Sequence, residues 1–303
     1  MTDQSPLNHT PTGSIILMLI IVCGCSLLAI FISVGAVQLF GEPATDSTNI
    51  TNLNHLRILQ MIQSIGTFVI PSIIGIRLFY NNSYKACFGK EQPTAQLIIF
   101  SAVIIVVSAP LINWAVFVNQ QLPFPPSLEY IKQWMTDREN EALMMTKNFL
   151  SAQSVFDIMM NIGLMALLPA IGEEWLFRGM IQPLTARITK NMGVAIVITA
   201  ILFSAVHFQF LTFFPRVILG IVLGYLYYYG ESLWLPIAAH FVNNLIALFT
   251  YISYYNSAET TDPLGAVAKA PPILLSIASF ILVVLCLYAI KRIKTNPERS
   301  TFQ

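Results

Sequence analysis

The chain has 303 residues, 55% of them hydrophobic and only 10% charged, where a soluble domain of this size carries about 25% charged residues. Mean hydropathy is +0.68 and net charge is +1. These values indicate a polytopic membrane protein and argue against a nucleic-acid partner, which would require a concentrated basic face.

No charge occurs between Asp3 and Glu42, between Arg57 and Arg77, or between Glu91 and Glu129. A spanning helix needs about 20 apolar residues, so helices are expected near 14–40, 56–79 and 94–119. The first run is too long for a signal peptide and lacks a basic flank, so it reads as a retained helix. Pro123, Pro125 and Pro126 then introduce a stretch of mixed charge, predicting an extramembrane loop over 121–150 that ends in a short amphipathic helix. Further apolar runs near 160–184, 192–211, 213–229, 233–255 and 271–290 bring the total to about eight spans. The predicted fold is an all-α membrane helical bundle. Its parts are three N-terminal spans in 1–120, the loop and amphipathic helix in 121–159, a core of four spans in 160–255, and a loop, last span and basic tail in 256–303.

Cys23, Cys25, Cys87 and Cys286 show no CxxC spacing and read as small packing residues. Lys291, Arg292, Lys294 and Arg299 place the C-terminus in the cytoplasm by the positive-inside rule, and an even number of spans places the N-terminus there too. Lys85, Lys90, Arg187 and Lys190 fall in the loops this topology makes cytoplasmic. The loops at 41–55 and 256–270 carry Glu42, Asp46, Glu259 and Asp262 against Lys269. The expected location is the cell membrane or another cellular membrane. Asp157 reads as an interfacial acid and Asn113 as a helix-packing amide. Gly220 and Gly224 form a small-xxx-small pair suited to close helix packing.

One stretch departs from the apolar pattern. Glu173, Glu174 and Arg178 lie within six residues of one another inside the run from Ile162 to Ile181. Each charge near a bilayer centre costs about 2.5–3.5 kcal/mol on insertion scales, so such groups need partners and usually a function. His207 and His240 also sit in apolar runs. At about 1.5 Å per residue, Glu173 lies about 21 Å from Arg187, His207 about 22 Å from Asn191, and His240 and Asn244 about 12 and 18 Å beyond Ser232. These depths allow the groups to meet between the fourth, fifth and seventh spans. Glu174 and Arg178 are spaced as an acid-before-base helical ion pair, and His240 shares a face with Asn244. Glu173 points about 100° away from Glu174, towards His207.

A carboxylate and an imidazole around one water form a general base that delivers hydroxide to a carbonyl. A second histidine with an amide supplies donors for the resulting oxyanion. The reaction class is amide hydrolysis. Zinc on Glu173, His207 and His240 is the competing reading, since these are ordinary zinc ligands. A metal-free site with no required cofactor ranks above it, because HExxH is absent and Arg178 accounts for Glu174. GxSG and GxGD are also absent. A non-catalytic binding or immunity scaffold, or a small-solute transporter, is the alternative from another class. Pro169, Gly172 and Gly179 break one helix without the paired counterpart common in transporters.

The motifs resemble those of the CAAX-protease and bacteriocin-processing family of intramembrane endopeptidases. The residues are EExxFRG at Glu173–Gly179, FxxxH at Phe203 and His207, and HxxxN at His240 and Asn244, the last preceded by Ser232-Leu233-Trp234 and Pro236. The resemblance covers roughly residues 160–250. It implies that Glu173 works with His207, that His240 and Asn244 form the oxyanion pair, and that Glu174, Arg178 and Phe203 support them. It further implies a protein or peptide substrate in the bilayer, in some members lipidated. That family has been described both as metal-dependent and as using a glutamate-activated water.

Overall fold

Long apolar runs leave the backbone no hydrogen-bond partner but itself, and the chain answers with helices throughout. The computed structural model describes residues 10–40, 50–89, 92–150, 154–256 and 271–295. Among these residues there is no strand. The orienting charges Glu42, Asp46, Lys90, Glu259, Asp262, Lys269 and Arg299 lie outside them.

Among the described residues, seven helices are long and apolar enough to cross a membrane: Pro11–Leu39, Leu53–Phe79, Ala95–Gln120, Val155–Thr189, Phe210–Gly230, Trp234–Ser253 and Ile273–Lys294. They match the expected runs except at the fifth, predicted over 192–211. There the helix, Met192–Ala205, has only 14 residues, about 21 Å against a hydrocarbon core of about 30 Å. It ends in a tight turn in which the His207 and Phe208 amides donate to Ser204 and Ala205 carbonyls, and Phe208 is left-handed at φ 53°. His207 therefore stands in a turn beyond the helix end, not on its flank as the depth reckoning assumed.

Two compact units are resolved by their internal contacts: residues 1–89 with 144–195, and residues 90–143 with 196–303. The first contains α1 (Pro11–Phe40), α2 (Ile50–Ser64), α3 (Ile70–Phe79), α4 (Tyr84–Phe88), α7 (Val155–Asn161), α8 (Leu168–Glu174) and α9 (Gln182–Thr189). Here α1 packs against α2, α3 and α9. Asp157 pairs with the buried Arg57 at 2.8 Å.

Among the described residues of this unit, three π-helical stretches interrupt the helices, at Ile65–Val69, Ile162–Leu167 and Trp175–Ile181. Each is followed, two residues on, by a proline: Pro71, Pro169 and Pro183. A proline inside a helix lacks the N–H for the carbonyl four residues back, and its ring collides with that carbonyl. A wider turn just before it relieves the collision, which explains why the helices continue through the prolines.

The second unit contains α5 (Ala95–Gln120), α11 (Phe213–Gly230), α12 (Trp234–Asn256) and α13 (Ile273–Thr295). It also holds most of α6 (Glu129–Phe149) and of α10 (Met192–Ala205). α5 packs along α11, α12 and α13. Their shared core includes Ile104, Leu223, Leu226, Leu235 and Ile290. Around Pro110 of α5, the carbonyls of Val107 and Pro110 accept hydrogen bonds from Ser279 and Ser276 of α13. A Cβ on Gly220 would lie 2.8 Å from the Ala200 Cβ, so α11 reaches α10 closely only because this position is glycine. Asn113 is exposed on α5 and does not serve as the packing amide expected of it. α6 spans 21 residues, longer than the predicted short amphipathic helix.

Candidate active site

The acidic motif belongs to the first unit. Glu174 ends α8, and Arg178 lies in the π-helical stretch that follows. The Arg178 Nη1 donates to Glu174 Oε1 at 2.6 Å, and both side chains are fully buried. A buried guanidinium is stable only with such a partner, so Glu174 is accounted for by Arg178, as the spacing predicted. Glu173 is buried as well. The helix can present these groups internally because Gly172 adds no side chain. A Cβ there would press on Phe68 at 3.1 Å.

The same segment is fixed from its other side. The Gly179 carbonyl stands four residues before Pro183 and cannot receive the usual helical bond. Instead it accepts from the Tyr80 hydroxyl at 3.2 Å and the Cys87 thiol at 3.6 Å. The Phe88 ring lies edge-on to Trp175, 5.4 Å between centroids, and Tyr84 lies 6.1 Å away. α4 thus clamps the turn carrying the glutamates. Burial raises the Cys87 thiol to about 12, in keeping with a packing role.

The histidines belong to the second unit. Phe203, almost fully buried, places its ring against both of them: 5.2 Å from His207 and 5.7 Å from His240, each edge to face. The sequence reading had Phe203 only as a support; the structure makes it the wedge that relates the two imidazoles. The His207 Nδ1 lies 2.7 Å from the Phe203 carbonyl oxygen. A carbonyl can only accept, so Nδ1 carries the hydrogen, and in the neutral ring Nε2 holds the lone pair. His240 is buried and Asn244 half-buried, four residues apart on α12. The Asn243 amide donates to Asn244 Oδ1 at 3.4 Å.

The His207 turn is held by residues that the sequence reading did not select. Asn119, at the end of α5, donates to the Phe210 carbonyl at 2.9 Å and accepts from the Phe214 amide at 2.8 Å. Arg216 binds the Gln209 carbonyl, the Gln209 side chain and the Thr212 hydroxyl at 3.2, 2.7 and 3.1 Å. The lone arginine early in the apolar run 213–229 was the available signal. Within each unit, among the described residues, no three His, Cys, Asp or Glu side chains gather as metal ligands.

Residues 155–246 match the family model described as type II CAAX prenyl endopeptidase Rce1-like. The matched segment contains the acidic motif, both histidines and Asn244. This similarity supports a CAAX-type intramembrane protease in general. No match was found among curated proteins or among solved structures.

Proposed function

We propose that this protein is an intramembrane endopeptidase that cleaves a peptide bond of a membrane-associated or lipidated substrate. Glu173 and His207 draw a proton from a water molecule, and the hydroxide adds to the scissile carbonyl carbon. His240 and the Asn244 amide donate to the oxyanion that forms. The tetrahedral intermediate then collapses, the C–N bond breaks, and the abstracted proton passes to the leaving amine. Arg178 pairs with Glu174, and Glu173 is the carboxylate assigned to the chemistry. The basic residues Lys291, Arg292 and Lys294 at the end of α13 favour a cytoplasmic C-terminus.

The observation that carries this reading is the His207 Nδ1 hydrogen bond to the Phe203 carbonyl, which supports Nε2 as the proton acceptor. Its support from outside the geometry is the family match across both motifs. A zinc-dependent variant would draw on Glu173, His207 and His240, the metal acting as a Lewis acid on the carbonyl. The glutamate-and-water route ranks first because Glu174 is committed to Arg178 and the acidic motif lacks a histidine partner at helical spacing.

The test is cleavage of a membrane-embedded peptide library by protein reconstituted in lipid. Glu173→Gln and His207→Ala are expected to lose at least a hundredfold in rate while keeping the parent melting temperature. Cleavage at parental rate by both variants would refute the assignment. Exhaustive chelation, with metal analysis of the treated protein, is expected to leave the rate unchanged.

A further inference from the structure

Beside α6 the second unit forms an open cavity of about 360 Å³. Its walls include Lys132, Thr136, Glu139, Leu143 and Leu211, none of which belongs to the peptidase constellation. Glu139 is 3% exposed. The Thr212 hydroxyl donates to its Oε1 at 3.4 Å and the Leu211 amide also faces the carboxylate, whereas Oε2 is buried and makes no hydrogen bond. A buried acceptor without a donor is costly, and native structures rarely carry one without a reason. Arg216 is the nearby cation, but its guanidinium is engaged with Gln209 and Thr212.

Lys132 stands seven residues before Glu139 on the same helix, two turns away on the same face, about 10 Å along the axis. It is half-exposed, with Glu129 at 3.5 Å. The cavity is therefore lined by a buried carboxylate and a half-exposed ammonium, with Leu143 and Leu211 also in its wall.

We propose that this cavity binds a short peptide with both termini free, its ammonium on Glu139 Oε2 and its carboxylate on Lys132. An extended chain rises about 3.3–3.6 Å per residue, so about three residues span the two charges. A single amino acid, with its charges on one carbon, cannot reach both. A peptide ammonium also has the three donors that the orphaned oxygen and the Thr136 and Asn140 side chains can share.

The test is calorimetric titration of trialanine into the full chain in lipid nanodiscs, in a Glu173→Gln background so that nothing is cleaved. Acetylating the amino terminus is expected to weaken binding at least tenfold, and amidating the carboxyl terminus severalfold. Glu139→Gln should erase the first preference and Lys132→Gln the second, with alanine alone binding far more weakly. Equal binding of free and acetylated trialanine overturns the proposal. So does absence of binding in protein that melts as the parent does, or affinity indifferent to Glu139→Gln. Because the readout is heat and not cleavage, the result stands apart from the peptidase assignment.

Discussion

The Phe203 carbonyl takes the proton-bearing Nδ1 of His207 at 2.7 Å, while the ring of the same phenylalanine stands edge-on to His207 and to His240. One residue thus fixes both the tautomer of one imidazole and the spacing of the pair.

Replacing Phe203 should separate its packing role from its positioning role. Phe203→Leu keeps most of the buried volume but loses ring contacts worth about 0.5–1.5 kcal/mol each. It is expected to lower kcat at least tenfold while shifting the melting temperature by only a few degrees. Phe203→Ala opens a cavity costing about 3–5 kcal/mol and should lower both. Cleavage rate and thermal unfolding measured on the same preparations distinguish the two effects.

The Glu174–Arg178 pair is fully buried, so breaking it leaves an uncompensated charge. Glu174→Gln or Arg178→Met alone should cost about 3–5 kcal/mol. The double replacement should cost less than either single one, because it removes both charges together. Melting curves of the three variants in one detergent would show this ordering or contradict it.

Gly220 meets Ala200 at a distance no ordinary side chain tolerates. Gly220→Ala is expected to destabilise by about 1–3 kcal/mol through overpacking. Adding Ala200→Gly should return part of the loss, whereas Ala200→Gly alone should be mild. A double-mutant cycle on unfolding free energy measures the coupling.

Burial holds the Glu139 carboxyl above its usual 4.5, against the Arg216 charge, the Thr212 hydroxyl and the Leu211 amide. Lys132 is the other charge facing the same cavity. The folded state therefore binds this proton more tightly than the unfolded state. The stabilisation from Glu139 is full below pH 4.5 and is lost as pH rises through the folded value. Glu139→Gln should flatten that part of the stability profile and leave the protein more stable than the parent near pH 7. Thermal melts of parent and variant across pH 4–8 check the sign.

Much of the fold was determined by the sequence itself. Apolar runs of about 20 residues can satisfy their backbone only as helices in lipid, and that rule located the seven long helices among the described residues. The i,i+4 spacing of Glu174 and Arg178 likewise fixed their ion pair, because helical geometry is local. Pro71, Pro169 and Pro183 marked where helices must deform, although the form of the deformation, a π-helical turn, depended on the surrounding packing.

Other features were decided only by tertiary structure. The helix of the fifth apolar run stops at Ala205 although the sequence remains apolar beyond it. The reason is a turn tied down by Asn119 from α5 and by Arg216 from α11, partners more than five residues away in sequence. Phe203 as the wedge between two histidines, Tyr80 and Cys87 on the Gly179 carbonyl, and the buried Glu139 oxygen all depend on contacts between distant segments. Local periodicity encodes which face a residue takes on its own helix; which neighbour that face meets is set by the packing of the whole unit.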